Sequence, residues 1–68
     1  MTTVDARGYS CPEPVIMTRK ALMSKEAEYT VLVDNTASRE NVTRYAEPQC
    51  YKVTVAEADG VYTLTLTK

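Results

Sequence analysis

The sequence contains no histidine and only two cysteines, Cys11 and Cys50. Without histidine the usual general base is missing, and so is the commonest nitrogen ligand for transition metals. Cys–His hydrolases and mixed Cys/His zinc sites are therefore excluded. The cysteines lie 39 positions apart and form no C-x-x-C pair, which rules out a disulfide scaffold and a dithiol redox motif. One bridge between them would need an oxidising compartment. No apolar run approaches the ~20 residues that cross a bilayer, and the N-terminus lacks signal-peptide character. An excess of one charge is missing too. Eight Lys and Arg stand against nine Asp and Glu, a net charge of −1, so there is no electrostatic footprint for nucleic acid or an acidic membrane. The expectation is a cytoplasmic protein with no membrane segment, no direct nucleic-acid binding, no metal and a single thiol of chemical interest.

What is present fits one small domain over residues 1–68, with 44% apolar and 25% charged residues. A chain this short buries only roughly 60% of its unfolded surface. Residues 2–6 alternate Val4 and Ala6 against Thr3 and Asp5 and read as a first strand, broken by Arg7 and Gly8. A helix is expected over 12–24, with Val15, Leu22 and the Thr18/Arg19 level recurring at three-to-four spacing while Arg19, Lys20 and Lys25 can face water. The β-branched run 29–34 reads as a second strand. Asn35 and Thr36 then cap a second helix over 37–47, with Val42, Tyr45 and Ala46 as its apolar stripe and Pro48 closing it. Residues 51–57 alternate Tyr51, Val53 and Val55 against Lys52, Thr54 and Ala56. Asp59-Gly60 is a hairpin signal, and 61–67 puts Tyr62, Leu64 and Leu66 against three threonines.

The order β-α-β-α-β-β predicts an α+β, two-layer α/β sandwich. Its mixed four-stranded sheet carries both helices on one face and leaves the threonine face wetted. The first β-α-β joins parallel strands and the last two strands pair antiparallel.

One stretch combines a reactive side chain with a helix start: Gly8-Tyr9-Ser10-Cys11-Pro12-Glu13-Pro14. Ser10 as N-cap would form a capping box with Glu13 but would put Pro14 where its amide is missed. Cys11 as N-cap places Pro12 and Pro14 at positions that need no amide, and this register is preferred. A thiol near a helix N-terminus ionises more readily than free cysteine, of pKa about 8.5, but two prolines delete nearby donors and Glu13 adds a like charge. The expected activation is modest. Cys11 as a mere cap or corner filler is the alternative. Cys50 reads as an inert residue at the start of a strand, or as a resolving thiol for Cys11. Met17 and Met23 are expected to pack, and Tyr9 fits either an exposed or an inward ring.

Val4-Asp5-Ala6-Arg7-Gly8, Cys11-Pro12-Glu13-Pro14-Val15 and Thr18-Arg19-Lys20-Ala21-Leu22 resemble the TusA/SirA/YedF family of small sulfur-carrier proteins over essentially the whole chain. Asp34-Asn35, Arg39-Glu40-Asn41-Val42 and Asp59-Gly60 look most like the N-terminal domain of YedF, which is associated with selenium metabolism. The resemblance implies that Cys11 carries a transient persulfide and that no resident cofactor is needed. A cysteine desulfurase would be the donor, and a partner protein in tRNA thiolation or another sulfur or selenium route the acceptor. Pro12 and Pro14 would then shape the turn, and Gly8, Ser10, Glu13 and Arg19 would shape the site or face partners, in a monomer. The chain departs from the pattern at Ser10, where TusA-like sequences often have a basic residue, and at Cys50, where YedF-like chains tend to have glycine. The rival class is a non-catalytic regulatory or RNA- or protein-binding domain.

Overall fold

The computed structural model describes residues 2–10 and 12–68. Alternation drives the strands and three-to-four spacing the helices. The order is β1 (Thr2–Asp5), α1 (Glu13–Leu22), β2 (Glu28–Val33), α2 (Thr36–Ala46), a 3-10 turn (Glu47–Gln49), β3 (Lys52–Ala58) and β4 (Val61–Thr67). The sheet runs β1-β2-β4-β3, with β1 parallel to β2 and β4 antiparallel to both β2 and β3. The expected two-layer sandwich with a mixed sheet is the observed fold.

Register stacks the apolar side chains in rows across one face. Val4 lies beside Val31, Val31 beside Leu64, and Leu64 beside Val55. Tyr29, Leu66 and Val53 form the next row. Tyr29, Val31, Val33, Leu64 and Leu66 are wholly buried, so the two inner strands hold the core. Val42 and Ala46 of α2 close it from above, and Val15, Met17, Ala21 and Leu22 of α1 pack against it in part.

Several expectations shift. On α1 the buried positions are Pro14 and Thr18, while Arg19 is exposed and Val15 and Leu22 are only half-buried. Thr18 can enter the core because its hydroxyl donates to the Pro14 carbonyl at 2.8 Å. Met23 does not pack: it is 73% exposed, just past the last helical residue. On α2, Ser38 is buried and Tyr45 only half-buried. The chain also runs on through Pro48 in a 3-10 turn, because proline suits a first turn. Val55 shares the covered face yet is 42% exposed, since β3 lies at the sheet's rim. Asn35 does cap α2, its side-chain oxygen accepting the Ser38 amide at 2.8 Å. At the hairpin, Asp59 (φ 53) and Gly60 (φ 78) take the paired left-handed angles that a two-residue turn requires.

Where α1 ends and β2 begins, side chains tie the end of the sheet together. The Glu26 amide donates to the Tyr29 hydroxyl at 2.8 Å, and Thr2 donates to the Glu26 carboxylate. The Tyr51 ring meets Tyr29 edge-on at 5.9 Å and lies under the Lys68 ammonium at 5.2 Å. Burial pushes the Tyr51 phenol above its ordinary pKa.

This packing accounts for the backbone at Cys50, which sits left-handed at φ 70 and ψ 25. Its amide donates to Glu47 O at 3.0 Å, and the amide of buried Tyr51 donates back to Ala46 O at 3.4 Å. The anchors on either side hold the strained residue in place. A left-handed non-glycine residue costs about 1–2 kcal/mol, and glycine's extra chain entropy returns roughly half of that. Cys50→Gly is therefore expected to stabilise the fold by about 0.5–1 kcal/mol, read as a higher urea midpoint with an unchanged slope.

Candidate functional site

The loop between β1 and α1 holds the stretch that the sequence singles out. Cys11 itself, and with it the expected cap and thiol geometry, lies outside the described residues. Its surroundings are well defined. The N-cap of α1 is Pro12 (φ −98, ψ 9), not Cys11 or Ser10, and no side chain caps the helix. Instead the Glu13 amide donates to the backbone carbonyl of Ser10 at 3.0 Å, and the Ile16 amide to that of Pro12 at 3.1 Å. The first of these backbone bonds also takes the place of the Ser10–Glu13 capping box, the less favoured register. Pro14 falls in the first turn, where its missing amide costs nothing, and its ring is buried as the helix's anchor to the core.

Ahead of the cysteine, three consecutive amides are engaged. Arg7 N donates to Asp5 Oδ1 at 3.2 Å, Gly8 N to Asp34 Oδ2 at 2.8 Å, and Tyr9 N to Ala6 O at 3.3 Å. Gly8 sits at φ +83. Asp5 also forms a two-pronged pair with Arg7, at 2.9 Å from Nε and 2.8 Å from Nη2. These bonds hold the Asp5 carboxyl down at about 2, from an ordinary 3.8, and push the Arg7 guanidinium upward. Arg7 is thus tied to Asp5 and is not a loose cation beside the thiol.

Gly8, Ser10, Pro12 and Glu13 gather at this end, all exposed, with Tyr9 at 49% exposure beside them. Pro14 lies beneath them. Arg19 is not brought to the loop: it lies six residues along α1 from Glu13, ~9 Å down the axis, on the exposed face. Sequence reasoning named Asp34 only within a family-like pair and gave it no place in the site; among the described residues it is the side chain from beyond the flanking β1 and α1 that grips the loop. Its signal was an acid one residue beyond a strand, next to a helix cap. Cys50 precedes β3, which runs in the same direction as β1 and β2, so it lies at the opposite end of the sheet from Ser10 and Pro12. A six-residue strand is ~20 Å long, far beyond the ~7 Å Cα reach of a disulfide. The resolving role for Cys50 does not fit this fold. Among the described residues no cluster of acidic or cysteine side chains could hold a metal, and no helix is long and apolar enough to cross a membrane.

Two outcomes follow from this geometry. The depressed Asp5 pKa contributes stability that is present above the unfolded carboxyl value and lost as pH falls through the folded one. The stability gap between the parent and Asp5→Asn should therefore be constant above pH ~4 and close between pH ~4 and ~2, in urea titrations across that range. At Gly8 an added Cβ meets nothing within 4 Å, so Gly8→Ala should cost only the backbone strain, about 1–2 kcal/mol, in the same assay.

The surroundings of the cysteine are thus a loop with its amides engaged and a helix opened by two prolines. A family model described as "Sulfurtransferase TusA" matches residues 2–68. A Methanocaldococcus jannaschii protein named "Putative sulfur carrier protein" is 39% identical over 59 residues, covering 84% of this chain and 79% of that one. The crystal structure of a SirA-like protein from Desulfitobacterium hafniense superposes with a TM-score of 0.89 at 45% identity, covering 98% of this chain and 96% of its own. With its full length matched and its fold shared, the chain belongs to the TusA family of sulfurtransferases.

Proposed function

We propose that this protein is a sulfur carrier whose Cys11 accepts sulfur from a cysteine desulfurase and delivers it to an acceptor protein. The observation that carries the reading is the Cys11-Pro12-Glu13-Pro14 stretch at the start of α1, within a chain matched by the family over residues 2–68. In the loading step the Cys11 thiolate attacks the outer sulfur of the donor's persulfide. A new S–S bond forms on Cys11, the donor's S–S bond breaks, and the donor cysteine leaves as a thiolate. No electrons are gained or lost overall, so no oxidant or resident cofactor is required. Delivery is the same exchange in reverse, with Cys11 as the leaving thiolate.

The surroundings support a carrier more than a bond-cleaving nucleophile. Pro12 and Pro14 bring no amide donors to the helix start, and the amide of Glu13 is engaged by Ser10. A thiol with only modest activation, a moderate nucleophile that is also a moderate leaving group, suits a two-way transfer. Exposed Tyr9, Ser10, Pro12 and Glu13 form the rim that partner proteins would meet, and Arg19 on the outer face of α1 would meet a wider one. Selenium in place of sulfur would use the same polarisable nucleophile.

Whole-protein mass spectrometry after incubation with a desulfurase and free cysteine tests the reading. The expected result is one added sulfur, about 32 Da, that dithiothreitol removes. It should be absent from Cys11→Ala and retained by Cys50→Ala. Sulfur retained by Cys11→Ala would overturn the proposal.

A further inference from the structure

We infer that Asp34 is a positioning residue for sulfur transfer, holding the Cys11 loop against the end of the sheet through its bond to the Gly8 amide. The inference rests on the carrier reading and concerns how its site is held. Asp34 directly follows β2 and precedes Asn35, the cap of α2. Its Oδ2 accepts the Gly8 N–H at 2.8 Å, 26 residues away in sequence, and its Oδ1 accepts Asn35 Nδ2 at 3.3 Å. The carboxylate is therefore aimed by the residue that starts the second helix, and it grips the loop that leads to the first.

The rest of the loop shows why this one bond matters. Arg7 is fastened by Asp5, two residues away, and Tyr9 by Ala6, three residues away. Both contacts close the loop on itself without fixing it to the rest of the sheet. The pairing of β1 with β2 ends at Ala6, whose amide donates to Leu32 O at 2.8 Å. Among the described residues, the 7–10 segment's other bonds run to its own flanks, to Asp5 and Ala6 before it and to Glu13 after it, and Asp34 is the side chain that ties it to a more distant part of the fold. Gly8 is exposed and left-handed, with no side chain to pack. The cysteine follows it by three residues, between this tether and the Pro12 cap. A charge-assisted bond of this type is worth about tenfold in the equilibrium between a held and a loose loop.

The experiment compares the parent with Asp34→Ala and Asp34→Asn, since asparagine offers a neutral oxygen to the same amide. Three readouts are taken on each: Gly8 amide exchange by NMR, the iodoacetamide alkylation rate of Cys11, and sulfur transfer from the loaded protein to a thiol acceptor protein. The thermal midpoint checks that each variant folds. In Asp34→Ala, Gly8 exchange should rise and transfer should fall, each about tenfold. Asp34→Asn should stay within about threefold of the parent on both. Transfer at the parental rate in Asp34→Ala would overturn the inference, as would an Asp34→Asn defect as large as that of Asp34→Ala. If the parent takes up no sulfur, the carrier reading fails by itself. Alkylation then decides the positioning role: a changed rate in Asp34→Ala, restored in Asp34→Asn, upholds it, and equal rates in all three overturn it.

Discussion

The constraint on which this structure depends is that a four-stranded sheet keeps one face dry with only two short helices. β2 and β4 lie in the middle and supply the wholly buried Tyr29, Val31, Val33, Leu64 and Leu66. Each helix leaves from the end of one strand and returns to start another that runs the same way. Both helices therefore begin at the same end of the sheet. That places the β1–α1 loop, with its cysteine, beside the β2–α2 junction, with Asp34 and Asn35. The site is a by-product of how the core is covered.

Chemically, the surroundings of Cys11 are notable for what has been taken out of play. The amides at 7, 8 and 9 are engaged by Asp5, Asp34 and Ala6, the Glu13 amide by Ser10, and two prolines bring none. Arg7, a cation four residues before the cysteine in sequence, is clasped by Asp5. Such a setting fixes the loop's shape on either side of the cysteine. A carrier needs a nucleophile that also leaves readily, and strong stabilisation of its anion would favour only one of the two.

With only two glycines, the chain places Lys25 (φ 54), Cys50 (φ 70) and Asp59 (φ 53) in left-handed backbone. Lys25 ends α1, its amide donating to Leu22 O at 3.1 Å, and Cys50 ends the 3-10 turn after α2. In each case neighbours hold the turn: the Tyr29 hydroxyl accepts the Glu26 amide, and buried Tyr51 follows Cys50. Tertiary anchoring supplies what glycine would have given locally. The same anchoring holds Cys50 at the opposite end of the sheet from Ser10 and Pro12.

Much of this was legible in the residues. Period-two alternation placed β1, β3 and β4, and a β-branched run placed β2, each to within a residue or so and β4 at its observed bounds. Asn35 and Asp59-Gly60 were readable since capping and tight-turn angles are local demands. The Cys-Pro-Glu-Pro stretch was also local, and it carried the family. The sequence could not decide which helical positions are buried. Pro14 and Thr18 took the places expected of more apolar residues, because a proline ring and an internally bonded hydroxyl fit against the sheet. Nor could it show Val55 left open at the rim, which depends on strand order. Least visible was Asp34: its bond to Gly8 spans 26 residues and exists only because two parallel crossovers bring distant turns to one end. Local preference fixes elements and turns, whereas the contact that ties the site together is made by the packing of the sheet.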